Sequence, residues 1–169
     1  MALVIEDGSI VSGANSYITV AEYSTWADAR FGASRSTLPA DTAAYEAIIL
    51  RAMDYFEGLD FQGVLVTRGQ ELQWPRSGVT IDGYDQETDS IPNEVKKALY
   101  EITYTEETGV GALNPIDRKV ESEKIGPIAV TYASGSSSRT ISPALSRSLR
   151  KLTSGASSLG GSTFMVTRR

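Results

Sequence analysis

The sequence predicts a mainly α (α+β) protein: a compact helical bundle with a small β-hairpin and an extended C-terminal arm. Three observations support this class. Three long segments place apolar residues at helical spacing and are followed by a glycine. One stretch rich in β-branched residues surrounds a Gly-Pro turn. The final quarter combines a short basic helix with Gly/Ser-rich linkers.

The first two helices have clear boundary signals. Thr19 followed by Glu22 has the spacing of a capping box, and Gly32 is placed to end the first helix. Residues 42–57 carry a wide apolar face that Gly58 closes. We expect the aromatic residues of these two helices to pack in the core; they are Tyr23, Trp26, Tyr45, Tyr55 and Phe56.

The middle of the chain is expected to hold a loop region, a third helix and a hairpin. Residues 59–66 are expected to be extended, 67–73 to form a short helical turn, and 74–79 to be a loop because Pro75 disfavours the α conformation before it. A third helix is predicted from about Pro92, at its first position, to Glu107. Residues 118–133 predict a short hairpin around a Gly-Pro turn.

The last part of the chain is expected to leave the body. Ser142-Pro143 has the pattern of an N-cap followed by a first-position proline. The helix that follows is basic and carries one apolar side, formed by Ala144, Leu145, Leu149 and Leu152. We therefore divide the chain into a helical body with its hairpin, residues 1–133, and a basic helix with a docking arm, residues 134–169.

The residue types present argue against an enzyme. The chain has no cysteine and no histidine, which excludes disulfides, thiolate nucleophiles, Cys/His zinc sites and the commonest general base. No Gly-rich phosphate loop is found, and we expect no catalytic residues and no cofactor. The acidic stretch 82–89 would suit a Ca²⁺ ion, but a solvated acidic loop is the favoured interpretation. No apolar run approaches the length of about 18 residues that spans a bilayer.

Charge is divided unevenly along the chain. Residues 1–123 carry 9 Lys and Arg against 21 Asp and Glu. The remaining 46 residues carry 7 basic residues and no acid. A segment whose charges all have one sign indicates a surface that binds a partner, and it says little about the fold.

The Trp74-Pro75-Arg76 turn has two interpretations. Trp and Arg both stack on nucleobases, so the turn would suit single-stranded nucleic acid. The favoured alternative is that Trp74 fills the core of the body and Arg76 caps a carboxylate, because one aromatic in an acidic domain makes a poor nucleic-acid platform.

The final residues also have two interpretations. They would form an unstructured stub, or they would add a strand to the sheet edge of a neighbour, to which their apolar and β-branched side chains are suited. We favour the second. The candidate partner-binding residues are Phe164, Met165, Val166, Thr167, Arg168 and Arg169, together with Arg147, Arg150 and Lys151 of the basic helix.

Five segments follow one another in order across almost the whole chain: NSYITVAEYSTW, AIILRAMDYFEGLDFQG, QELQWPRSGV, IPNEVKKALYEITY and VESEKIGPIAVTY. Together they resemble the head–tail connector (adaptor) proteins of tailed bacteriophages. This family is often labelled as DnaT-like single-stranded-DNA-binding proteins.

The resemblance implies a structural virion protein. Such adaptors form a ring, commonly of twelve copies, below the portal protein at the head–tail neck of the virion, and they are assembled in the host cytoplasm. They contact the portal, a tail-side neck protein (stopper, tail terminator or tail tube) and one another, and no membrane. DNA passes through the bore without specific binding during packaging and ejection. The arm 134–169 would then carry the portal contact.

The alternative function is single-stranded-DNA binding in phage replication. The family label points to it, and the basic helix and Trp74 would permit it.

Overall fold

A computed structural model describes residues 2–32, 42–109, 122–125, 128–131 and 143–154 of the 169-residue chain. These residues form four α-helices and three two-stranded antiparallel sheets. The predicted α+β class is confirmed. The helices are α1 (Val20–Phe31), α2 (Thr42–Glu57), α3 (Asn93–Glu107) and α4 (Pro143–Leu152). The strands are β1 (Val64–Leu65), β2 (Arg76–Ser77), β3 (Thr80–Ile81), β4 (Tyr84–Asp85), β5 (Ser122–Ile125) and β6 (Ile128–Thr131).

Helix α1 begins at the capping box that the sequence predicts. The Glu22 amide donates to the Thr19 hydroxyl over 3.1 Å, and the Thr19 amide donates to the Glu22 carboxylate over 2.7 Å. Two amides that the first turn leaves without helical partners are satisfied in this way. At the other end Gly32 takes a positive φ of 47° as the C-cap. Both predicted boundaries of α1 are confirmed.

The predicted bounds of α2 are confirmed, and α3 differs from the prediction by one residue. Pro92 is the N-cap of α3, with ψ at 144°, so its backbone is extended and the helix begins at Asn93. The prediction that Pro92 occupies the first helical position is therefore wrong by one place. The helix ends at Glu107, and Gly109 follows with a φ of 75°.

The helices share one hydrophobic core. Buried side chains of α2 and α3 face each other, and Leu145, Leu149 and Leu152 of α4 are buried in the same cluster. Burying each leucine contributes about 1.5–3 kcal/mol. Helix α4 therefore packs as part of the body, although the prediction assigned it to the arm. Of that arm, residues 134–142 and 155–169 lie outside the described residues.

The strands are short. Two of the pairs, β1–β2 and β3–β4, lie within or directly after residues 74–79 on one of their strands. β1 pairs with β2 through Val64 opposite Ser77 and Leu65 opposite Arg76. The prediction of a loop throughout 74–79 is therefore wrong at Arg76 and Ser77, because their strand character comes from a partner 11 or more residues away. No helical turn forms at 67–73, where the chain makes turns and bends.

The predicted hairpin within 118–133 is confirmed. β5 and β6 pair antiparallel from Ser122 opposite Thr131 to Ile125 opposite Ile128. Within the part of the chain that the structure describes, no helix has the length and apolar character to cross a membrane.

Candidate functional site

Trp74 lies in the core and is closed to solvent. Its side chain is 1% exposed and packs edge-on against Phe61, with ring centroids 5.9 Å apart. A buried indole offers no face for a nucleobase to stack on. The interpretation of Trp74 as a core residue is confirmed, and the stacking interpretation is excluded for this side chain.

Arg76 is also held inside the protein. Its guanidinium donates to the carbonyl oxygens of Gln62 at 2.6 Å, Gly63 at 2.9 Å and Gln73 at 3.2 Å. The expectation that it caps a carboxylate is wrong, since its hydrogen bonds go to backbone carbonyls and to the Gln73 side chain. Burial lowers the pKa of Arg76. This arginine ties the 62–63 segment to the 73–76 segment and is not available to a phosphate.

Beside them lies a buried polar centre that sequence reasoning missed. The Tyr17 hydroxyl donates to Glu57 over 2.7 Å and accepts the Trp74 amide over 3.0 Å. The second oxygen of Glu57 accepts the Gln73 amide over 2.7 Å. Burial raises the pKa of Glu57, and burial together with the nearby Glu57 carboxylate raises the pKa of Tyr17. These groups hold the 73–74 segment against α2, and their long sequence separation leaves no local signal.

The half-exposed aromatic residues of α1 and α3 stack on one another. Tyr23, Tyr45 and Phe56 are buried as predicted, while Trp26 and Tyr55 are partly buried. The Trp26 ring stacks on Tyr100 with centroids 5.4 Å apart, and the Arg30 guanidinium lies 4.5 Å from its centroid. Because Trp26 is engaged within the protein, this cluster is a packing feature.

The exposed face of α4 carries the predicted cations. Arg147, Arg150 and Lys151 are exposed, opposite the buried leucine side of the helix. Lys151 Nζ forms an ion pair with Asp82 Oδ2 over 2.5 Å, which raises the pKa of Lys151. The helix therefore presents a cationic surface, which we call the α4 face, defined by these three residues.

An exposed aromatic residue lies in the hairpin that contacts the α4 face. Tyr84 is 76% exposed and stands opposite Ile81 in the β3–β4 hairpin, whose turn contains Asp82. Asp82 and Gly83 both have positive φ, 52° and 87°, as a two-residue hairpin turn requires. The Asp-Gly pair in the sequence was the signal for this hairpin, which sequence reasoning treated as a polar loop without a role. The Asp82–Lys151 contact joins the hairpin to the α4 face.

The rest of the described surface is acidic. Residues 2–32 and 42–109 together contain 17 acidic and 6 basic residues. Three of these cations form ion pairs with acids: Lys96 with Glu22 at 3.0 Å, Arg51 with Glu106 at 3.1 Å and Lys97 with Glu94 at 3.9 Å. Among the described residues no group of three or more carboxylates is arranged to hold a metal ion.

Six of the predicted partner-binding residues lie outside the described residues: Phe164, Met165, Val166, Thr167, Arg168 and Arg169. The other three, Arg147, Arg150 and Lys151, form the α4 face, and Lys151 connects it to the hairpin that carries Tyr84.

Comparison with known proteins identifies a family for the whole chain. A family model described as "Putative DnaT-like ssDNA binding protein" matches residues 1–169. No curated protein and no solved structure matches the chain significantly. The family label that accompanied the resemblance is thereby confirmed, and these comparisons give no support to the head–tail connector identity itself.

Proposed function

The chain belongs to the family described as "Putative DnaT-like ssDNA binding protein", and on that premise we propose that it binds single-stranded DNA through the α4 face and Tyr84. The observation that carries the proposal is the pairing of an exposed aromatic ring with a cationic helix face. Tyr84 is 76% exposed, and its hairpin contacts Lys151 directly. Cations and an exposed aromatic ring are the combination with which proteins hold single strands.

The spacing on α4 suits a phosphate backbone. Arg147, Arg150 and Lys151 are three and four residues apart, so they share one side of the helix. Arg147 and Arg150 would contact successive phosphates, while a base stacks on Tyr84. Lys151 would exchange the Asp82 carboxylate for a phosphate.

The acidic body limits this binding. With about three phosphate contacts, the logarithm of the binding constant should fall with the logarithm of salt concentration with a slope of about −2. We therefore expect binding at low ionic strength that is lost as salt increases.

A fluorescence-anisotropy titration with labelled oligo(dT) at about 50 mM salt tests the proposal. Arg147→Gln with Arg150→Gln should reduce the salt slope by about 1.4. Tyr84→Ala should weaken binding about five- to a hundredfold, because stacking contributes about 1–3 kcal/mol per base. Lys97→Gln is the matched control, since it removes an exposed cation from α3. Absence of binding at low salt, or equal effects of the α4 variants and Lys97→Gln, would reject the proposal.

The second candidate is a head–tail connector, and the acidic surface favours it. A body with 17 acidic and 6 basic residues over residues 2–32 and 42–109 would repel DNA phosphates, as a conduit for DNA should. In this function a ring of copies, expected to be a dodecamer, would contact the portal and a tail-side neck protein, and the segment from Phe164 to Arg169 would make the portal contact.

Electron microscopy of portal rings mixed with the protein tests the connector. The full chain should decorate portal rings, and a chain without residues 164–169 should keep its fold and fail to do so. A truncated chain that decorates portal normally would overturn the arm assignment. Decoration without oligo(dT) binding would favour the connector over the first proposal.

A further inference from the structure

Three successive apolar residues in and directly after β1 are exposed. Val64 is 66% exposed, Leu65 38% and the following Val66 36%. β1 pairs with β2 on one side and with no other strand among the described residues. We call this surface the β1 edge, defined by residues 64–66.

Among the described residues, no second strand covers the β1 edge, and the edge itself carries no protective residue. Natural proteins place charged residues, proline or a covering element on an exposed edge strand, because its unpaired backbone groups accept further strands. Residues 61–67 contain no charge and no proline. This composition indicates an edge that another strand covers.

The same chain contains a segment suited to that edge. Phe164, Met165, Val166 and Thr167, which we call the docking strand, are apolar and β-forming, and Arg168 and Arg169 follow. The positive charge of Arg168 and Arg169 complements a body with an excess of acidic residues. Strand addition would satisfy backbone groups of the edge and cover its apolar side chains.

The chain after α4 leaves in the direction away from the β1 edge of the same copy. Thr153 bridges Phe61 in antiparallel orientation, and the Ser154 amide donates to the Asp60 carbonyl over 3.1 Å. At residues 153–154 the chain runs from residue 61 toward residue 60, opposite to the direction in which β1 continues. Nine residues, 155–163, separate Ser154 from the docking strand, so the ten steps from Ser154 to Phe164 span at most about 36 Å. This reach is long enough for a neighbouring copy in contact.

We propose that the β1 edge receives the docking strand of a second copy of this chain by strand addition. The contact is head-to-tail: each copy gives one strand and accepts another, which closes into a ring if the rotation between copies permits. The proposal is independent of DNA binding, so its test uses no nucleic acid. It assigns the segment from Phe164 to Arg169 to a second copy, and it therefore replaces the portal contact that the connector candidate gives to the same segment.

Sedimentation velocity of the full chain over a range of concentrations tests the contact. The wild-type chain should associate, and Val64→Lys and Phe164→Asp should each weaken association at least tenfold. Val4→Lys is the matched control, because Val4 is 37% exposed and lies outside the β1 edge. Circular dichroism of each variant checks that the fold is kept.

Mixing the two variants makes the test specific. Val64→Lys keeps an intact docking strand and Phe164→Asp keeps an intact edge, so their equimolar mixture should form a heterodimer. A wild-type chain that stays monomeric at about 1 mM would overturn the proposal, because its dissociation constant would then lie above about 1 mM, which is too weak for a specific contact. Loss of association in Val64→Lys without loss in Phe164→Asp would also overturn it, because another element would then cover the edge.

Discussion

Removing the Tyr17 hydroxyl tests the polar centre that holds the Gln73–Trp74 segment. In Tyr17→Phe the ring keeps its packing, including its edge-on contact with Phe56 at a centroid distance of 5.8 Å. Two hydrogen bonds are lost: the one donated to Glu57 and the one accepted from the Trp74 amide. The change is therefore confined to polar contacts.

The expected loss of stability follows from these two bonds. A hydrogen bond to a charged group contributes about 1.5–3 kcal/mol, and a buried donor left without a partner costs about 1–3 kcal/mol. The Trp74 amide is buried, while the Glu57 carboxylate keeps the Gln73 amide. We therefore expect Tyr17→Phe to lower the free energy of unfolding by about 2–4 kcal/mol.

Urea unfolding followed by tryptophan fluorescence and by circular dichroism measures the change. Tyr84→Phe removes the same hydroxyl from an exposed ring and should alter the free energy of unfolding by less than about 0.5 kcal/mol. If Tyr17→Phe changed the free energy of unfolding as little as this control does, the polar centre would not stabilise the fold. The assigned role of Tyr17 would then be refuted.

Two further predictions concern the core and pH. Leu149→Ala should lower the free energy of unfolding by about 2–5 kcal/mol in thermal or urea unfolding, because the side chain is fully buried between α4 and the body; a change near zero would mean that α4 does not pack there. The pKa of Glu57 is raised above 4.5 by burial, so the folded state binds its proton more tightly than the unfolded state. The stabilising contribution of Glu57 is therefore fully present below pH 4.5, the pKa of the unfolded state. It is lost as pH rises through the raised pKa of the folded state. The wild-type chain should therefore lose stability relative to Glu57→Gln over this interval, and parallel pH profiles would contradict the assignment.

Several elements could be predicted because their signals are local. The Thr19–Glu22 box lies within four residues, and it forms in the structure. The leucine stripe of α4 was likewise visible at helical spacing, and its three leucines are buried. Their partner could not be predicted, since helical periodicity shows that a face is apolar without showing what covers it.

The site depended on contacts between distant residues. Lys151 and Asp82 are 69 positions apart, and their ion pair brings the Tyr84 hairpin to the α4 face. Arg76 was expected to cap a carboxylate, but the 62–63 segment folded against it and supplied carbonyl oxygens instead. Neither arrangement has a sequence motif of its own.

The sequence by itself determined the helices, the hairpin at 122–131 and the division of charge, because caps, turns and periodicity are encoded within a few neighbouring residues. Only the tertiary structure decided that Trp74 and Arg76 are enclosed, that α4 packs as part of the body and that the hairpin carrying Tyr84 contacts Lys151 of α4. The physical reason is that burial and ion pairing depend on which surfaces meet in three dimensions, and those surfaces come from segments far apart in the chain.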